Sequence, residues 1–125
     1  DGTSYKDFAT GFLLTEERMK WFIGNYLPNE ADRAEEWRAS PLLAPTLSSE
    51  GLSGLPPTIL CTADHDVLRD EGREMARLLN QAGVQTEYRE YAGQIHIFWM
   101  FGGVLSGAAH ATKQIADDIA RHLFA

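Results

Sequence analysis

The stretch PTILCTADHDVLRDEGREMARLLNQAGVQTEYREYAGQIHIF, residues 57–98, decides the fold. It opens on Pro57 to Ala63, a short and almost unbroken apolar run, the pattern of a strand covered on both faces. Leu68, Met75, Leu78, Leu79 and Ala82 then recur on one helical stripe, which Gly83 closes. From Val84 to Ala92 the chain alternates, with Thr86, Tyr88 and Glu90 on one face and Gln85, Glu87, Arg89 and Tyr91 on the other. That more polar pattern suits the edge of a sheet. Two strands joined by a helical crossover of this length are parallel, and the connection is right-handed.

Working outward, Leu105, Ala108, Thr112, Ile115, Ala116, Ile119 and Leu123 predict a final helix, so residues 57–125 read strand, helix, strand, helix. Residues 1–56 read as a lid and connector segment. Within it a helix spans about 15–27: Thr15 is an N-cap, Met19, Phe22, Ile23, Tyr26 and Leu27 recur at helical spacing, and Pro28 ends the run. ADRAEEW (31–37) is expected to form a turn or two, and SPLLAPTLSSEGLSGLPP (40–57) is expected to be connecting chain.

Bulk properties narrow the function. A chain of 125 residues has the length of one domain, and its net charge of −7 argues against nucleic acid or an anionic membrane as partner. No apolar run approaches the ~20 residues of a membrane span. The single cysteine, Cys61, allows no internal disulfide and reads as a small buried hydrophobe. The expected location is therefore cytoplasmic. The chain opens DGTSYKDF, with neither a methionine nor a signal segment, which leads us to expect either removed residues or a piece of a longer protein.

The chemistry concentrates in two loops. In a parallel unit, functional side chains collect where loops leave the carboxyl ends of the strands. The first strand runs into DHDVLRDEG (64–72) and the second into GQIHIF (93–98), so Asp64 or Asp66 can approach His96 from the same sheet edge. An aspartate bonded to one imidazole nitrogen sets the tautomer and leaves the other nitrogen to act as a base. His65, between two acids, hints at a metal, but alternate side chains in so tight a loop point apart, and no metal is expected. His110 and His122 are expected to face solvent. Trp21, Phe22 and Tyr26 read as a core stripe on the helix, and Phe98 and Trp99, beside the base, are candidates to line a substrate site.

These loops carry a resemblance. GLPPTILCTADHDVLRDEGREMARLLNQAG followed by YREYAGQIHIF resembles the C-terminal part of the hormone-sensitive-lipase family of α/β-hydrolases, the bacterial carboxylesterases. That family writes the loops as D-P-L-R-D-E-G and G-M-x-H-G-F, and the connector ASPLLAPTLSSEGLSGLPP is similar too. The resemblance implies an α/β fold, here two parallel strands with flanking helices and a helical lid, with Asp66 as triad acid and His96 as general base. It also implies short-chain ester hydrolysis without metal or cofactor, and a lid segment around Trp21, Phe22 and Tyr26 over the acyl pocket. Asp70 and Glu71 match the start of the family's helix and read as structural, since acids favour that end of the dipole.

The sequence departs from the family in three small places and one large one. Val67 stands where the family has proline, Gln94 where it has methionine, and Ile97 where it has the glycine after the histidine; a β-branched residue at that last place disfavours positive φ. The larger departure is that the G-x-S-x-G elbow and the H-G-G-G loop are both missing. GLSGL around Ser53 lies in the connector, and FGGV (101–104) follows the base instead of preceding a nucleophile. The expectation is a hydrolase fragment with acid and base but no nucleophile. The alternative is a non-catalytic hydrolase-like chain. In either case a central strand with one neighbour leaves an open edge, so the expected partner is a second copy or a missing N-terminal half.

Overall fold

A computed structural model describes residues 2–47 and 51–123, with the side chains of residues 46 and 47 excepted. In chain order the elements are α1 (Ser4–Asp7), α2 (Glu16–Tyr26), α3 (Glu30–Arg33), α4 (Ala44–Leu47), β1 (Thr58–His65), α5 (Arg69–Gln81), β2 (Thr86–Ile95) and α6 (Ser106–Leu123). Short 3-10 turns at Pro41–Leu43 and Phe98–Phe101 complete the list. The Thr15 side chain caps α2 by accepting from the Arg18 amide at 3.2 Å.

β1 and β2 form a parallel pair, in register from Thr58↔Thr86 to Ala63↔Tyr91. The ladder then slips, and the next partners are His65 and Ile95. Asp64 alone therefore faces Ala92, Gly93 and Gln94, an irregularity made possible by the positive φ of Gly93, +69°.

One face of the pair carries α5. The two approach so closely that a Cβ on Gly72 would lie 2.3 Å from Thr62 Cγ2. Thr62 Oγ1 and the Tyr88 hydroxyl share a 2.7 Å hydrogen bond, and the Arg73 guanidinium grips Glu90 with two bonds of 2.6 Å. The other face carries α6 and a cluster of Ala63, Phe98, Ala108 and Ala111, flanked by Tyr91, Ile95 and Leu105. Here Arg89 Nε donates to the buried Asp118 at 2.6 Å, and Arg121 also binds that carboxylate.

Four expectations about packing need correction. β1 has helices on both faces but is only partly covered, since Ala63 is its one buried residue and Ile59, Leu60 and Cys61 stay partly accessible; Cys61 is thus half-buried, not core. The aromatic stripe of α2 is not core, because no residue of that helix is buried. On α6 the buried residues are Ala108, Ala111 and Asp118, while Thr112, Ala116, Ile119 and Leu123 are exposed. Small residues let that helix lie close on the sheet, and its large apolar ones, Ile115, Ile119 and Leu123, line a groove with Ile59 and Cys61 of β1. Finally, residues 40–57 are more than connecting chain. Ala44 and Leu52 are buried against Leu79 and Val84, so these two residues cover the outer end of α5. Ahead of α2, the same lid and connector segment holds the short helix α1, whose Ser4 is buried.

Candidate active site

Asp66 leaves the end of β1 and starts the turn into α5. Its Oδ1 accepts from the Leu68 amide at 3.0 Å, and its carbonyl accepts from the Arg69 amide at 3.1 Å. These bonds close an Asx-type turn that aims the carboxylate along the sheet edge. Oδ2 lies 2.7 Å from His96 Nδ1. A carboxylate only accepts, so Nδ1 carries the proton and Nε2 is left as the basic nitrogen.

Asp64, the other acid that spacing allowed, is engaged elsewhere. Its Oδ2 accepts from the Gly93 amide at 3.3 Å and so holds the irregular end of β2. His65 packs between Phe8 and Phe12, each ring centroid 5.3 Å away. Behind the pair, Ile97 adopts the left-handed conformation, φ 53° and ψ 25°, and leads into the 3-10 turn. The glycine of the resembling family would meet that geometry without strain; isoleucine meets it with strain.

His96 and Asp66 open onto a cavity of about 950 Å³. Leu60, Glu71, Met75 and Trp99 line it together with Phe22, Ile23 and Tyr26 of the α2 helix. Of the aromatic candidates, Phe22 and Trp99 therefore face this space. Phe98 does not: it is fully buried, 5.1 Å from the Tyr91 ring and 5.5 Å from Trp99, and supports the site from beneath. Trp21 is outside the lining and is exposed, touching Phe22 edge-on at 5.1 Å. The helix turns the stripe of Met19, Phe22, Ile23 and Tyr26 to the cavity, and Trp21 lies off that stripe.

The cavity also holds groups that sequence reading missed or assigned otherwise. Tyr5 comes from the N-terminal segment, and burial pushes its hydroxyl up to about 12, helped by the charges of Glu71, Glu16 and Asp66. Glu71, read as structural, instead lines the cavity, and burial followed by the Asp66 charge raises its carboxyl above the usual range. Asp70 does serve structure. The Arg69 guanidinium holds its carboxyl down to about 2, with the Ser4 amide assisting. No single-sequence signal marks Tyr5, because what brings it here is the docking of α1.

Known proteins carry the same arrangement of chain. The family model described as alpha/beta hydrolase fold matches residues 1–100. The carboxylic ester hydrolase LipN of Mycobacterium tuberculosis is 35% identical over 116 residues, covering 93% of this chain and 30% of the relative. The crystal structure of a thermostable esterase from Pseudomonas putida superposes with a TM-score of 0.88 at 42% identity, over 100% of this chain and 39% of that one. EstE1, a thermophilic carboxylesterase cloned from a metagenomic library, gives 0.87 at 32% identity, over 99% and 40%. The chain belongs to the α/β-hydrolase fold family, and these relatives are ester hydrolases. It spans well under half the length of these relatives.

Proposed function

We propose that these 125 residues supply the acid and the base of a carboxylic ester hydrolase, with the nucleophilic serine contributed from outside them. The observation that carries this reading is the 2.7 Å contact of Asp66 with His96 Nδ1, facing an apolar cavity. In the completed site His96 Nε2 takes the serine proton as the hydroxyl attacks the ester carbonyl. The imidazolium, stabilised by Asp66, then protonates the departing alcohol and leaves an acyl-serine. Water repeats the sequence and releases the acid. A short acyl ester suits the cavity, whose walls at Leu60, Met75, Phe22 and Trp99 are apolar. This chemistry asks for no metal or cofactor.

The test is an assay of the chain on a short-chain p-nitrophenyl ester, alongside a serine-directed fluorophosphonate. We expect no covalent labelling, and turnover no greater than that of an exposed imidazole and sensitive to His96→Ala. Labelling of a serine within the chain would overturn the assignment. Ser40, which lines the cavity, would be the first suspect, with Ser53 and Ser106 next; Ser48 lies outside the described residues.

A second reading, a hydrolase-like chain that binds without turnover, is favoured by one feature. β1 has a single strand neighbour, and its Ile59 lines a groove of about 550 Å³ with Pro57, Trp99, Ile115, Ile119 and Leu123. A strand edge next to an apolar groove calls for a covering partner. On this reading and the first alike, that partner is a second copy or the N-terminal half of the hydrolase sheet. Sedimentation at micromolar concentration is expected to show association, and a monomer with a sharp cooperative melt would contradict it.

A further inference from the structure

The N-terminal turn reaches across the molecule to the loop that carries Asp66. Ser4 is buried, with 2% of its surface exposed. Its Oγ donates to the Val67 carbonyl at 2.7 Å and accepts from the Asp70 amide at 3.3 Å, while the Ser4 amide donates to Asp70 Oδ2 at 2.8 Å. The approach is close, since a Cβ on Gly2 would lie 2.3 Å from Asp70 Cβ.

The Val67 carbonyl and the Leu68 N–H belong to one planar peptide unit. That N–H donates to Asp66 Oδ1 at 3.0 Å, and Oδ2 of the same carboxylate meets His96 Nδ1 at 2.7 Å. We propose that Ser4 is a positioning residue for the candidate acid, acting on His96 through one hydroxyl, one peptide plane and one carboxylate. The inference rests on the acid–base reading of Asp66 and His96 given above.

Three physical points carry it. A peptide plane bonded at both its oxygen and its N–H cannot rotate without losing one of the two bonds. A hydroxyl on the carbonyl polarises the unit and makes the N–H a stronger donor to Asp66. Val67 is fully buried, so the plane is also packed in place. The bonds span 63 and 66 positions of sequence, so the N-terminal segment is a working part of the site and more than a flank.

The test reads the His96 tautomer from imidazole nitrogen-15 shifts in the 125-residue chain. A free imidazole favours the proton on Nε2, whereas the bond to Asp66 demands it on Nδ1. We expect the native chain to show the Nδ1–H form, Ser4→Ala to raise the Nε2–H fraction on the order of threefold, and Ser4→Thr, which keeps the hydroxyl, to restore the native balance. Asp66→Asn separates the two claims. If Asp66→Asn moves the tautomer and Ser4→Ala does not, Ser4 has no positioning role and the acid–base pair stands. If neither the native chain nor Asp66→Asn shows a tautomer set by Asp66, the acid–base reading fails and takes this inference with it. Should Ser4→Ala lose its fold, Ser4→Cys, of similar size but a weak hydrogen-bonder, supplies the comparison, and an unchanged tautomer there overturns the proposal.

Discussion

His96 Nδ1 sits 2.7 Å from Asp66 Oδ2 although 30 positions separate the two residues. Parallel pairing brings the strand ends together, and the slip of register after Ala63 gives β2 the extra length to swing His96 back over the acid. Gly93 makes that slip possible, with φ at +69° and its amide on Asp64. A Cβ there would meet nothing within 4 Å, so the cost of a side chain is purely conformational. Gly93→Val is expected to destabilise the chain by about 1–2 kcal/mol, measured by denaturant melts, and to loosen the Asp66–His96 contact. Gly93→Asn, which tolerates the left-handed region, is expected to cost less.

Ile97 presents the opposite case, a β-branched residue held at φ 53°. Removing that strain gains about 1–2 kcal/mol, and glycine gives back roughly half of it through its greater freedom when unfolded. Ile97→Gly removes the strain but also loses the apolar contact of the half-buried side chain, so it is expected to leave stability within about 1 kcal/mol of the native chain and above that of Ile97→Ala in thermal melts. Ile97→Ala keeps the strain, loses apolar contact and is expected to lower stability.

Gly72 is constrained by space instead of φ. Its missing Cβ is what allows α5 to seat on Thr62, whose hydroxyl is tied to Tyr88. Alanine would improve helix propensity by about 1 kcal/mol. The overlap with Thr62 costs about 1–3 kcal/mol, and the balance falls on the side of destabilisation. Pairing Gly72→Ala with Thr62→Ser, which removes the obstructing methyl, is expected to recover most of the loss in thermal melts.

Asp70 links stability to pH. Its carboxyl is held down to about 2 from an ordinary 3.8, chiefly by Arg69 and then by the Ser4 amide. A depressed carboxyl contributes stability that is fully present above its unfolded value and is lost as pH falls through its folded value. Asp70→Asn is therefore expected to cost on the order of 1–2 kcal/mol near neutrality. The gap between variant and native chain should close between about pH 4 and pH 2. Melts of both chains across that range check it. A gap that persists at pH 2 would mean the carboxylate charge is not what holds α1 down.

The apolar run at 57–63, the helical stripe that follows and the alternation at 84–92 prescribed a parallel strand–helix–strand unit, because side-chain periodicity is a local property. The same order of elements sent the loops of Asp66 and His96 to one edge, so the acid–base candidates were legible too. Tertiary structure alone decided which faces were buried. It left the stripes on the α2 and α6 helices open, put Phe98 in the core, and brought Ser4 and Tyr5 to a loop some sixty positions away. Periodicity reports that a face is apolar. What that face meets depends on chain segments distant in sequence, and only packing brings them together.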